Sequence, residues 1–203
     1  MEDPTLIRIT EKLTLLALLQ GNFIQKFFKQ CENHPADYNY SIIRDNRPGY
    51  EGWTLLHHAA VIGNTNVCAF LIDKGHAIDT TDTSVNLVTP LMMAIHHNNV
   101  ETACKLVEFG ASLDRKDMRG ENCIHYAARV TGIMIKRLIQ AGKLNRDEIN
   151  RLTNDTNVKR KLPEDIAASD IVKETIIHFR TIGHVPKKIR NLPVKTKRFV
   201  HTP

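Results

Sequence analysis

Seven residues, Thr54-Leu55-Leu56-His57-His58-Ala59-Ala60, return at Thr89-Pro90-Leu91-Met92-Met93-Ala94-Ile95 and again at Asn122-Cys123-Ile124-His125-Tyr126-Ala127-Ala128, displaced by 35 and then 33 residues. A period of this size restricts the fold more than any other property of the chain. A unit this short cannot bury its own apolar face, so copies must stack, each touching only its neighbours.

After each heptad come a polar break, an amphipathic stretch and a glycine. The first unit runs through Gly63-Asn64 and Val67 to Ile72 to Gly75, the second through Asn98-Asn99 and Ala103 to Val107 to Gly110, and the third through Thr131 to Gly142. Each reads as helix, turn, helix and an extended finger. Alanine at 59, 60, 94, 127 and 128 lets short helices approach closely, with apolar residues at i, i+3 and i+4 facing the stack. Gly75, Gly110 and Gly142 are expected where a helix ends and φ turns positive.

A recurrence near 33 residues with a Thr-Pro-Leu-His-x-Ala core resembles the ankyrin-repeat family. The resemblance implies an all-α solenoid, with Thr54, Thr89, His57 and His125 tying the turns within and between repeats. Met92 stands where the histidine would be, so that tie should be missing in the second repeat.

Weaker copies flank the core. Ala17 to Asn22 aligns with Ala59 to Asn64, and Phe23 to Phe28 supplies a second helix, which makes an N-terminal cap. Leu162-Pro163-Glu164-Asp165-Ile166-Ala167-Ala168 resembles a closing heptad, with Ile171, Ile176, Ile177 and Phe179 for its outer helix. This reading places about five repeats in a domain at 1–180, over 6–31, 50–82, 85–117, 118–149 and 158–180, followed by a basic tail at 181–203. The connectors 31–52 and 145–161 exceed a standard finger. Such insertions decorate one face of a solenoid or simply drift as surface loops.

At 203 residues and 42% hydrophobic content the chain can bury a continuous core. No signal peptide is expected, since the start is acidic and Leu13 to Leu19 is too short to span a bilayer. Four scattered cysteines suit a reducing cytoplasm or nucleus rather than a disulfide framework. Cys68 and Cys104 fall at nearly equivalent outer-helix positions, and Cys31 closes the first repeat, where the sequence allows exposure. The pairs His57-His58 and His96-His97 invite a metal site, but neighbouring residues on a helix diverge by about 100°. No cofactor, no metal and no small-molecule substrate is expected. Nor is an enzyme, because no nucleophile with a positioned base and no glycine-rich phosphate loop can be picked out.

The family resemblance implies a macromolecular partner on the concave face, contacted by positions just before each heptad and just after its alanines. These are Tyr50, Glu51, Trp53, Val61 and Ile62, then Val85, Asn86, Val88, His96 and His97, then Met118, Arg119, Glu121, Arg129 and Val130. Trp53 with Val61 and Ile62 could anchor a partner. The alternative is that Trp53 packs beneath the 31–52 connector and closes the cap.

Lys and Arg exceed Asp and Glu by 28 to 22, a net charge of +6. Residues 181–203 hold no acid, so Lys187, Lys188, Arg190, Lys195, Lys197 and Arg198 account for the whole excess. Such a tail reads as a solvated end, a nuclear import signal, a nucleic-acid contact or a peptide that docks on an acidic protein. Interleaved Ile189, Leu192, Val194, Phe199 and Val200 favour docking. The expected function is a protein-interaction module, a regulatory subunit or inhibitor of a kinase or transcription factor. The alternative is an adaptor in a nuclear or RNA-associated assembly that uses the tail as a second surface. No membrane role is expected.

Overall fold

The computed structural model describes residues 15–16, 18, 24–34, 39–40, 43–45, 47–84 and 86–182. In chain order these form α1 (Ile24–Glu32), β1 (Arg44–Asp45), β2 (Trp53–Thr54), α2 (Leu55–Ile62), α3 (Thr65–Asp73), α4 (Pro90–His96) and α5 (Val100–Glu108). They continue through α6 (Cys123–Ala128), α7 (Gly132–Ala141), α8 (Arg146–Thr153), one turn of 3-10 helix (Pro163–Ile166) and α9 (Asp170–Ile182). The three heptads are thus the inner helices α2, α4 and α6, each paired with an outer helix.

Each inner helix starts where its cap residue satisfies free backbone amides. Thr54, Thr89 and Asn122 accept from the amides of His57, Met92 and His125 respectively. In the first and third units the histidine answers the cap. Nδ1 of His57 accepts from the Thr54 amide at 3.1 Å, which leaves Nε2–H to donate to the Val88 carbonyl of the next unit at 3.0 Å. His125 repeats this with the amide of Asn122 and the carbonyl of Lys161. Met92 is fully buried and makes no such tie.

Small residues let the helices close. Ala59, Ala60, Ala94, Ala127 and Ala128 have no solvent exposure, and α2 packs on α4, α4 on α6, α5 on α7 and α7 on α9. At the N-terminal end, buried Leu15, Leu16 and Phe27 seal the stack, and Phe70 of α3 meets Phe27, Phe28 and Tyr40 edge to face.

Several sequence expectations are corrected. The 145–161 connector contains a helix, α8, held at its start by reciprocal bonds between Asn145 and Glu148; its buried Ile149 and Leu152 make it part of the core. Gly75 and Gly110 do adopt positive φ, but Gly142 stays helical at −74° and Lys143 takes the left-handed turn at 50°. On α9, Ile176 and Phe179 are buried with Val172, whereas Ile171 is 75% exposed and Ile177 also faces water, because three residues spaced i, i+4, i+7 already fill the contact. That helix runs through Thr181 and Ile182, two residues into the segment assigned to the tail. Cys31 is buried among the cap's aromatic residues, and burial pushes its thiol up to about 11.

Candidate functional site

Four fingers precede the heptads, and each is built on one buried or nearly buried Asp or Asn. Asp45, Asp82, Asp117 and Asn157 stand at their bases, and each finger closes on a backbone bond: Gly52 amide to Asp45 carbonyl, Asp82 to Val88, Asp117 to Glu121, and Asn157 to Lys161. The same side chains stiffen the turns. Asp117 accepts from the amides of Arg119 and Glu121, Asn157 from those of Lys159 and Lys161, and Asp82 from the amide of Val88. Short polar side chains bond the backbone ahead of them readily, which makes them turn formers.

Neighbouring fingers are joined by their backbones. The Thr83 amide donates to the Glu51 carbonyl at 3.0 Å, Met118 to Asn86 at 3.0 Å, and Val158 to Arg119 at 2.8 Å. Gly52 and Gly120, both at positive φ, permit the approach: a Cβ on Gly52 would lie 2.5 Å from the Thr83 nitrogen, and one on Gly120 3.2 Å from that of Val158. The fingertips therefore form a continuous ladder. Its recurring Asp or Asn was the sequence signal for it, obscured by the unequal finger lengths.

The first finger is the hairpin β1–β2, with Asp45 opposite Trp53. Tyr50 sits edge-on to Trp53 at 5.0 Å, and His58 lies 5.1 Å from Trp53 and 5.5 Å from Tyr50. Arg47 covers the Tyr50 ring at 5.4 Å. Trp53 is half-buried in this cluster while Tyr50 and Glu51 are exposed. Burial pushes the His58 imidazole down to about 4, although Nε2 comes within 3.2 Å of Asp45. Burial opposes the charge of Asp45 too, yet hydrogen bonds from Arg47 hold its carboxyl below the usual range.

Of the other candidate residues, Asn86, His96, His97, Met118, Arg119 and Arg129 are exposed and Val61 is half-buried. The rings of His96 and His97 meet edge to face at 5.3 Å. Ile62 and Val130 are likewise half-buried and pack against the core. Two placements are corrected outright. Val88 is 6% exposed, because it closes the second finger against Asp82 and His57. Glu121 is 1% exposed and accepts from Arg129, Arg119 and Asn157. Burial works against its ionisation, but those partners keep its carboxyl below the ordinary value. Arg119 and Arg129 are consequently held by internal acids, with their exposed faces outward.

Val85 and the tail residues Lys187, Lys188, Arg190, Leu192, Val194, Lys195, Lys197, Arg198 and Phe199 lie outside the described residues. Each later fingertip carries an exposed apolar residue, Leu87, Met118 and Val158, the last 68% exposed; of these, sequence reading had named Met118 and missed Leu87 and Val158. It also passed over Lys159, Arg160 and Lys161, exposed on the fourth finger. Among the described residues no cluster of His, Cys, Asp or Glu could hold a metal ion, and no helix is long and apolar enough to cross a membrane.

A family model for ankyrin repeats (3 copies) matches residues 14–117, half of the chain. The chain belongs to the ankyrin-repeat family. The helix pair α6–α7, with its own cap and histidine tie, continues the same architecture beyond the matched stretch. Among curated proteins this ankyrin chain is similar to a probable E3 ubiquitin-protein ligase of Oryza sativa, XBOS31, at 35% identity over 39% of the chain and 18% of the relative. It is 32% identical to palmitoyltransferase Hip14 of Drosophila melanogaster over 39% of the chain and 12% of that enzyme. To the probable 26S proteasome regulatory subunit p28 of Saccharomyces cerevisiae it is 32% identical, over 47% of the chain and 42% of the relative. The chain thus spans less than half the length of each of these relatives. Ankyrin repeats imply protein partners, and this chain is in that sense a protein–protein interaction module.

Proposed function

We propose that this ankyrin protein is a non-enzymatic regulatory subunit that holds a protein partner against its fingertips and the exposed ends of α2, α4 and α6. The backbone ladder between fingers carries the reading. A row of tips already bonded to one another presents Tyr50, Leu87, Met118 and Val158 without further ordering, and preorganisation lowers the entropic cost of binding. The likeness to a proteasome regulatory subunit supports the regulatory role, more than it supports a kinase or a transcription factor as the target. Four free, buried cysteines suit a cytoplasmic or nuclear setting.

The test is retrieval of partners from native lysate by the parent chain and by Tyr50→Ala with Trp53→Ala, followed by titration of the recovered protein. The double variant should fold and lose about 2 kcal/mol or more of affinity. If the parent retains no specific protein, the proposal fails. A second reading, an adaptor with the tail as a separate surface, draws on the placement of the whole charge excess in 181–203. It requires partners that disappear when residues 183–203 are removed while those of the concave face remain.

A further inference from the structure

Charge is distributed unevenly along the finger ladder. In the first finger Arg44 and Arg47 are balanced by Asp45 and Glu51, and the second carries Asp82 with no base. In the third, Arg119 is bound to Asp117 and Glu121. The fourth holds Lys159, Arg160 and Lys161 in succession; its one acid, Asp155, is taken by Lys116 of the third finger, and among the described residues none of the three makes an ion pair. Their backbone is fixed: Asn157 Oδ1 accepts from the Lys159 and Lys161 amides, the Arg160 amide donates to the Asn157 carbonyl, and Arg160 takes φ of 57°. Three like charges are thus held together on a rigid turn, where mutual repulsion is not relieved by movement of the loop.

Beside them stand apolar side chains left in water. Val158 and Met118 occupy equivalent positions, one residue after Asn157 and Asp117, at 68% and 57% exposure. The Val158 amide is bonded to the Arg119 carbonyl, so the two tips are adjacent. In the second finger the same position is Thr83, a polar residue.

We propose that the third and fourth fingertips dock an extended acidic protein segment, Lys159, Arg160 and Lys161 binding its carboxylates and Met118 and Val158 its apolar side chains. This rests on the protein-binding reading above and names the partner's chemistry. Charge complementarity selects an acidic partner, and the apolar pair selects protein over nucleic acid. A strand of nucleic acid needs a basic track and exposed rings on which bases stack. The exposed aromatic of the fingertips, Tyr50, lies at the other end of the ladder, Phe109 is exposed at the end of the outer helix α5, and Tyr126 is buried. Adjacent repeats are about 10 Å apart, which an extended segment covers in about three residues.

The experiment uses the full chain and fluorescence anisotropy with three labelled probes. One is a peptide of aspartate and glutamate with two leucines three positions apart, one has serine for the leucines, and one is a single-stranded oligonucleotide. The leucine peptide should bind, less tightly as salt rises, and better than the serine peptide. Substituting Lys159→Gln, Arg160→Gln and Lys161→Gln together should weaken it roughly tenfold. Met118→Ser with Val158→Ser should weaken it roughly fivefold and leave the serine peptide unaffected. Ile133→Ser, on the exposed side of the outer helix α7, should change nothing. Because the salt and serine comparisons use the parent chain, they stand even where a variant folds poorly. No binding of the leucine peptide, or tighter oligonucleotide binding indifferent to the Met118 and Val158 changes, overturns the inference. Lysate partners that survive the triple substitution sink this site and spare the broader reading. A parent chain that captures no protein but binds the peptide does the reverse.

Discussion

At the scale of single residues, the buried histidines are structural acceptors and donors that must stay neutral. Burial pushes His57 down to about 3, with the bond to the Val88 carbonyl only partly opposing it, and His58 down to about 4. The unfolded chain takes up these protons below its ordinary value near 6.5, while the folded chain does not. Stability is therefore complete above that pH and is lost as pH falls towards the folded values, by about 2 kcal/mol at pH 5 for His57 alone. Urea titrations at pH 7 and pH 5 should show the loss, and His57→Gln should reduce its pH dependence. An unchanged dependence in that variant would refute the assignment. Glycine offers a sharper contrast. Gly52→Ala combines strain at φ +74° with contact on Thr83, so it should cost more than the roughly 1–3 kcal/mol of left-handed strain alone. Gly49→Ala, at φ +86° with open space around it, should show only that strain. Equal melting temperatures for the two variants would contradict the close approach of the fingers.

At the scale of elements, the inner helices are six to eight residues long and too short to persist alone in water. Their stability comes from caps and from contact with neighbouring helices. Ala94 of α4 is fully buried between α2 and α6, and Ala94→Leu should overpack that contact at about 1–3 kcal/mol. A variant that unfolds at the parent's denaturant midpoint would mean the heptad is misregistered there. Helix α8 shows the limit of reading by period. Its cap, Asn145 with Glu148, is legible as a helix start, but a search for a recurring heptad passes over a helix that belongs to no repeat.

At the scale of the whole molecule, the stack holds together through contacts between neighbours. Examples are Asn99 donating to the Ala60 and Val61 carbonyls, Asn122 to Leu152, and Arg180 to the Thr153 carbonyl and to Glu164. Stability in such an array is a sum of units and interfaces, so central elements supported on both sides should open last. Hydrogen exchange followed by mass spectrometry should find α4, α5 and α6 most protected and α9, packed on one side, less so. Uniform protection along the stack would show that the units do not open separately.

The repeat, the helix pairs, the capping residues and the missing tie at Met92 were legible in the amino-acid order, because each depends on residues within a few positions of one another. Burial of Val88 and Glu121, the exposure of Ile171 and the helical state of Gly142 were not. Those depend on what the folded stack places against each residue: His57 reaching across to Val88, Arg129 of the same unit and Asn157 of the next converging on Glu121, and α7 packing on one stripe of α9. The fingertip row likewise exists only once the units stack. Its residues lie 31 to 40 positions apart in the chain, and backbone bonds between adjacent fingers, invisible to side-chain pattern, bring Tyr50, Leu87, Met118 and Val158 onto successive neighbouring tips.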